Sequence, residues 1–222
     1  MSNAAPREEI EIKLRVSDAA AIRARLKRLR AREISPRTYE SNTLYDTPRQ
    51  DLRRRGQIIR IRMETPARGS GRERPRPNGA AILTFKGPPL SSHNAKKSGG
   101  ESKARKYFKV REEAEVTVAG ASEMARILGA LGLRPAFRYE KFRTTFALPG
   151  IRHLKIELDE TPVRIFLELE GPVADIDRDA SRLGYARNDY TTDTYASLYL
   201  ADCLRRSRKP GDMLFPPTKK LR

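Results

Sequence analysis

Glu9, Glu11 and Lys13 lie two residues apart in the run EEIEIKLRV (8–16). On a β-strand, residues at that spacing share a face. The spacing therefore puts three charges on one side and Ile10, Ile12 and Leu14 on the other. The pattern recurs along the chain. Arg60 and Arg62 oppose Ile59, Ile61 and Met63; Thr84 and Lys86 oppose Leu83 and Phe85. Glu113 and Glu115 alternate in EEAEVTV (112–118), and Lys141, Arg143 and Thr145 in EKFRTTF (140–146). Lys155, Glu157 and Asp159 do so in 154–160, and Arg164, Phe166, Glu168 and Glu170 alternate with Ile165, Leu167 and Leu169 in 163–171. A solvated sheet face rarely carries so many full charges with so little Ser, Thr or Gln, or sorts acids and bases by strand. A closed or nearly closed antiparallel barrel with a charged, water-filled interior accounts for both features.

Such an interior has a definite chemistry. Carboxylates crowded this closely cannot all stay ionised without a cation, and hard divalent ions, Mg²⁺ or Mn²⁺, suit oxygen ligands. Guanidinium and ammonium groups in numbers suit a ligand rich in phosphate oxygens. Together they equip a site for phosphoryl or nucleotidyl transfer. His93 and His153 give no zinc spacing, and neither a Walker A loop nor a dinucleotide fingerprint is present. No aromatic or amide cluster for a nucleobase stands out, because Phe and Tyr read as core or helical positions.

The elements that must hold these faces also read from the pattern. EEIEIKLRV leads into a helix over 17–31 with Ser17 as N-cap and Ile22, Leu26 and Leu29 as its apolar stripe. EEAEVTVAG leads into a helix from Ser122 whose end is expected near Gly132. Each helix precedes a strand containing Tyr-Glu, at 39–40 and at 139–140, so the chain reads as a weak duplication. Two halves of this kind close one barrel with helices outside it. Further helices are expected over 173–184 and 191–206, the latter with Tyr195, Leu198 and Tyr199 among its apolar positions.

The 222 residues carry a net charge of +18, which points to an anionic partner. The basic stretches 65–80, 87–106 and 205–222 read as mobile segments. A lone cysteine, Cys203, fits a cytoplasmic protein without disulfides. No apolar run approaches membrane-spanning length and no signal peptide is visible, so no membrane association is expected.

These segments, in order, resemble the CYTH, or triphosphate tunnel metalloenzyme, superfamily. Glu9-x-Glu11-x-Lys13 is similar to its ExExK signature. LYDTP (44–48), Arg60-x-Arg62, TFKGP with Lys86, REEAEV (111–116), EKFR, LDE with Asp159, and ELEG with Glu168 and Glu170 follow in the family's order. The resemblance implies an α+β fold, an eight-stranded antiparallel barrel with flanking helices, over residues 8–204, with 205–222 as a basic, flexible tail. It implies a linear triphosphate or nucleoside triphosphate bound in the tunnel with Mg²⁺ or Mn²⁺. By position, Lys13, Arg60, Arg62, Lys86, Arg111, Lys141 and Arg143 would grip phosphates. Glu9, Glu11, Asp159, Glu168 and Glu170 would hold metal. Glu113, Glu115 and Glu157 would orient the arginines, with metal binding as the alternative for Glu113 and Glu115.

The family includes triphosphatases and class IV adenylyl cyclases. The expected function is metal-dependent triphosphate hydrolysis, with ATP cyclisation to cyclic AMP and pyrophosphate as the alternative. The stretch from Asp159 to Glu168 lacks a Gly-Leu-Gly turn, and no N-terminal His-Phe pair is present, departures from the cyclase pattern as the resemblance gives it. A reading of another class is a non-catalytic polyphosphate or RNA binder, monomeric or homodimeric like the enzyme. Eight inward carboxylates and the absence of Trp oppose it, so nucleic acid is expected only at the basic loops and tail.

Overall fold

A computed structural model describes residues 7–67, 80–90, 107–151 and 153–216. Most of the two basic loops, with His93, and the end of the tail therefore lie outside the described residues. Eight antiparallel strands form a closed barrel: β1 (Arg7–Val16), β2 (Arg32–Asp46), β3 (Ile58–Pro66), β4 (Ala81–Lys86), β5 (Lys109–Val118), β6 (Arg134–Ala147), β7 (Lys155–Glu160) and β8 (Ile165–Glu170). Their order is β5-β4-β3-β2-β6-β7-β8-β1, and the pairing of β1 with β5 closes the ring. Closure removes the sheet edges. Exchanging β1–β4 with β5–β8 maps this order onto itself, which is the structural content of the duplication. The Tyr-Glu pairs do not belong to it. Glu40 lies opposite Lys141 in the β2–β6 register and faces inward, whereas Glu140 is one residue out of phase. A short β9 (Tyr190–Thr191) continues along β1 at Lys13 and Leu14, past the end of the β5 pairing.

The main core lies outside the ring. Ile12, Leu14, Ile156, Leu158, Leu167 and Leu169 turn outward and are almost fully buried by α1 (Ala19–Arg28) and α4 (Val173–Arg182), through Ile22, Leu26, Ile176 and Ala180. Each such side chain contributes about 1.5–3 kcal/mol on burial, which fixes the register and forces the alternate residues into the lumen. On another side, Leu128 and Met124 of α3 (Ala121–Ala130) cover Ile61, Ala81 and Tyr45. Gly132 (φ +82°) and Gly184 (φ +86°) follow α3 and α4 in the left-handed region, where glycine carries no Cβ penalty.

The caps differ from expectation. Asp18, not Ser17, caps α1, its Oδ1 accepting from the Ala20 and Ala21 amides. Gly120 occupies the N-cap of α3, so Ser122 falls inside the helix. In both cases the preceding strand sets where the chain can turn. A one-turn α2 (Asp51–Arg54) follows β2, and Asp46 accepts from the Leu52 and Arg53 amides, so the aspartate of LYDTP serves this turn.

Two C-terminal features also depart from the sequence reading. α5 (Tyr195–Arg205) packs Tyr195 and Leu198 against Tyr139 and Phe166, side chains of the inner face, rather than on the barrel's outer face. Residues beyond it, assigned to the mobile tail, dock as far as Phe215. Met213 exchanges backbone hydrogen bonds with Arg138 and Glu140, Asp212 pairs with Arg138, and the Phe215 amide donates to Glu140 Oε2. This segment runs beside β6 before β7 pairing begins at Phe142. Met213 and Phe215 are each 1% exposed, and these apolar anchors outweigh the basic composition around them. Among the described residues no helix is long and apolar enough to cross a membrane.

Candidate active site

The barrel encloses a cavity of about 1080 Å³. All seven cations expected to bind phosphate line it: Lys13, Arg60, Arg62, Lys86, Arg111, Lys141 and Arg143. So do Glu9, Glu11, Glu168 and Glu170 of the expected metal set, and Glu113, Glu115 and Glu157. Asp159 does not line the cavity. It is fully buried, where it accepts from Lys141 (3.0 Å), bidentately from Arg143 (2.7 and 2.6 Å) and from the Tyr195 hydroxyl (2.5 Å).

The charges alternate across strands. Lys13 Nζ lies 2.7 Å from Glu168 and 3.1 Å from Glu11. Lys86 contacts Glu9 (2.5 Å) and Glu113 (3.2 Å). Arg60 donates to the Tyr139 hydroxyl (3.2 Å), Thr84 (3.1 Å) and Glu115 (3.3 Å). Arg62 pairs with Glu64 at 2.9 Å and Arg111 donates to the Gly56 carbonyl at 3.1 Å. Arg143 is the hub, touching Glu157, Glu168 and Asp159, with Glu40 at 3.6 Å. The Nε groups of Arg60 and Arg111 are buried donors without an acceptor among the described residues, in keeping with arginines that bind an anion.

The sequence reading left out several members. Lys109 Nζ approaches Glu11 to 2.6 Å, and Glu40 pairs with Lys141 at 3.3 Å; both are buried. Lys109 sits two residues before Arg111, so extending the alternation backward would have found it. Tyr139 likewise precedes Lys141 by two. Tyr195 comes from a helix, and no strand periodicity reveals it. Its ring lies 5.3 Å from Lys13 Nζ and 5.2 Å from Lys141 Nζ, cation–π distances that add to the hydroxyl bond on Asp159.

Burial and crowding split the carboxyls into two groups. Burial pushes Glu11, Glu40 and Glu168 up, but nearby cations outweigh it. Lys109 and Lys13 hold Glu11 well below the usual range, Lys13 and Arg143 do the same for Glu168, and Lys141 and Arg143 bring Glu40 to about 2. Glu9 and Glu157 go the other way. Burial, then Glu11 and Glu113, raise Glu9 to about 7 despite Lys86. Burial, with Glu168 and Asp159, raises Glu157 to about 8 although Arg143 touches it. Burial also lowers Lys109 to about 8, partly offset by Glu11.

The raised Glu157 makes a stability prediction. Its carboxyl keeps a proton to about pH 8 in the fold, but only to about 4.3 in an unfolded chain. Its contribution to stability is therefore complete below the lower value and is lost as pH rises towards 8. Thermal unfolding of the ligand-free protein should show Glu157→Gln gaining on the parent chain between pH 5 and pH 8. A difference independent of pH would refute the raised carboxyl.

Among the described residues no group of three carboxylate, His or Cys side chains converges as a ready metal cage. The donors nevertheless fit a hard divalent ion. They are carboxylate oxygens, and Glu11 lies directly across from Glu170 in the β1–β8 register. Glu9 is crowded enough to hold a proton near neutrality, the proton a divalent ion would displace. Asp159, saturated by three donors, fits a positioning role instead.

A closed eight-stranded barrel with this interior defines a charged-tunnel fold. The CYTH domain matches residues 7–195, and the chain belongs to that family, the triphosphate tunnel family. The family binds triphosphates, typically uses divalent metals, and consists mostly of enzymes. Solved structures share the fold. A Vibrio parahaemolyticus protein named as a candidate adenylate cyclase is 17% identical with a TM-score of 0.67, covering 87% of this chain and 98% of its own. A Pyrococcus horikoshii protein is 19% identical with a TM-score of 0.64, covering 87% and 99%. A Hippeastrum protein, named as a candidate adenylyl cyclase and described as having a dominant triphosphatase activity, is 15% identical with a TM-score of 0.52, covering 91% and 97%. At such identities the likeness speaks for the fold alone. No curated protein has a significantly similar sequence.

Proposed function

We propose that this protein is a divalent-metal-dependent triphosphate phosphohydrolase. The observation that carries this reading is the convergence of Lys and Arg side chains, the seven expected to bind phosphate among them, interleaved with carboxylates, on one cavity. Arg60, Arg62, Lys86, Arg111, Lys141 and Arg143 would take the non-bridging oxygens, exchanging carboxylate partners for phosphate. Lys13, between Glu11 and Glu168, would sit where the metal-binding carboxylates meet the phosphate chain. Glu9, Glu11, Glu168 and Glu170 would hold Mg²⁺ or Mn²⁺. When bound, such an ion supplies charge neutralisation on the phosphates and lowers the pKa of attacking water. Asp159, fixed by Tyr195, keeps Lys141 and Arg143 aimed into the lumen. Water attacks the terminal phosphorus, the bridging P–O bond breaks with its electron pair passing to the remaining diphosphate, and the proton of the attacking water is released to solvent.

Cyclisation of ATP is the second reading, favoured by aromatic side chains in the cavity wall, Phe137 and Tyr139. It needs the ribose hydroxyl held in line with the α-phosphorus, whereas hydrolysis needs only the phosphate chain and a positioned water. Incubation with tripolyphosphate, thiamine triphosphate, ATP and GTP in Mg²⁺ or Mn²⁺, with products followed by phosphorus NMR, separates the readings. Orthophosphate should exceed cyclic AMP. Stoichiometric cyclic AMP and pyrophosphate from ATP, with little orthophosphate from tripolyphosphate, would establish cyclisation instead. Tight tripolyphosphate binding with no turnover would establish a binding protein.

A further inference from the structure

The net charge of +18 does not come from the cavity. Ten Lys and Arg side chains line it against nine carboxylates, so its formal charges nearly balance. The excess lies elsewhere, and one described stretch of it is continuous. Between Ala19 and Arg32 come Arg23, Arg25, Lys27, Arg28, Arg30 and Arg32, with no carboxylate among them. Arg25 is engaged by the Leu183 carbonyl, and Arg23 lies 3.4 Å from Glu160. Lys27, Arg28, Arg30 and Arg32 are exposed, and none makes an ion pair among the described residues. Arg30 is also strained. Helices α1, α3 and α4 end alike, on Leu29, Leu131 and Leu183, each followed by a residue in the left-handed region. In all three, that residue's amide donates to the carbonyl three positions back, and the next amide to the carbonyl five back. α3 and α4 place Gly132 and Gly184 there, whereas α1 places Arg30 at φ +55°. A residue with a Cβ is disfavoured in that region. The helix dipole does not call for Arg30 either, since Arg25, Lys27 and Arg28 already occupy the last turn.

We propose that Lys27, Arg28, Arg30 and Arg32 form a docking surface for double-stranded DNA, held through its phosphates without regard to sequence. Three of the four are arginines, whose planar forks suit phosphate oxygens. An uninterrupted run of cations complements the regular line of charge along a duplex. No aromatic, hydroxyl or amide side chain lies between Ala19 and Arg32. A single strand would therefore find no ring on which to stack its bases, and an RNA duplex no polar group for its 2′-hydroxyls. An anionic membrane fits less well, because Ile22 and Leu26, the apolar stripe of α1, are buried against the barrel and cannot insert. A protein partner would need an apolar or aromatic anchor, which this helix face does not offer. None of the four residues lines the cavity, so the surface is separate from the triphosphate site. Nucleic acid is thereby set on the folded body, where the sequence pointed only to the basic loops and tail.

Fluorescence anisotropy with a short labelled DNA duplex, repeated over a range of salt concentrations, tests the surface. The parent should bind duplexes of unrelated sequence alike, with log affinity falling linearly with log salt. A triple variant, Lys27→Gln with Arg28→Gln and Arg32→Gln, should reduce the salt slope by about 2–3. Its affinity at about 0.1 M salt should fall roughly 100- to 500-fold. Arg30→Gly adds a readout that a structural role would not move. It should weaken duplex binding about five- to tenfold and yet raise Tm by about 2–4 °C, because glycine is what the same cap holds in α3 and α4. Arg30→Lys, which keeps the charge and the strain, should match the parent in both measurements. Unchanged affinity in the triple variant would place the contact outside α1 and overturn the proposal. A lower Tm in Arg30→Gly would make Arg30 a residue of the fold and would also overturn it. So would a parent that binds no duplex at low salt, or that binds single-stranded DNA, duplex RNA or phosphatidylserine vesicles more tightly than duplex DNA.

Discussion

Arg143→Ala is expected to lower the unfolding free energy by about 3–5 kcal/mol, the cost of stranding buried charges. The corresponding fall in Tm is roughly 6–20 °C for a chain of this size. Arg143 faces Glu157, Asp159 and Glu168, with Glu40 close by, and none of these carboxyls is more than 11% exposed. Removing the guanidinium leaves Lys141 as the nearest cation for Asp159 and Glu40, and Lys13 for Glu168. The same substitution should weaken tripolyphosphate binding by about one to two decades, because a charge-assisted contact contributes roughly 1.5–3 kcal/mol. Arg60→Ala separates the two roles. Two of its partners, Tyr139 and Thr84, are neutral, and the third, Glu115, is 37% exposed and can be rehydrated. Arg60→Ala should therefore match Arg143→Ala in lost phosphate affinity while losing much less stability. Calorimetric binding and thermal unfolding of both variants test this. Unchanged tripolyphosphate affinity in both would show that these arginines serve the fold and not the ligand.

The barrel was legible because its core is outside. Outward residues such as Ile12, Leu14, Leu167 and Leu169 must be apolar, so each strand records its two faces as a period of two. The lumen charges follow from the same alternation, which is why Lys13, Arg60, Lys86, Arg143 and Glu168 could be placed from local sequence. What alternation cannot record is distance along the chain. Asp159 is inward by phase, yet Tyr195, 36 residues later, and Arg143 on the next strand seal it away from the cavity. Lys109 was within reach of the pattern but preceded the point at which its strand was taken to begin, whereas Tyr139 lay inside its strand and was read as a core aromatic. The aromatic wall of the cavity escaped for a related reason. Phe137 and Tyr139 continue the inward phase of Lys141 and Arg143, but a Phe at an inward position looks like core until α5 is placed beside it. The docked tail has no periodicity at all. Met213 and Phe215 act as single anchors, and composition over 205–222 averages them away.

The carboxylates pose the remaining question, since every one of them that could hold a metal is also a partner for a cation. Glu11→Gln and Glu170→Gln distinguish these roles, because their protein partners differ. Glu11 compensates two buried lysines, Lys13 and Lys109, so its loss should also reduce stability. Glu170 pairs with a partly exposed Lys155 at 3.3 Å, and losing that pair should cost little stability in Glu170→Gln. Both lie across from each other on β1 and β8, where one ion could take an oxygen from each. Both variants should therefore lose at least about 100-fold in Mg²⁺-supported turnover, beyond the roughly 10- to 100-fold typical of residues that merely support a ligand. Tripolyphosphate binding in the presence of chelator should persist, since the basic cradle is untouched. Mn²⁺ affinity, read by electron paramagnetic resonance without substrate, should fall in both. Glu170→Gln is the sharper case. Unchanged Mn²⁺ affinity and unchanged turnover would mean that this carboxylate does not hold the ion, and the pairing of β1 with β8 would no longer support a metal there.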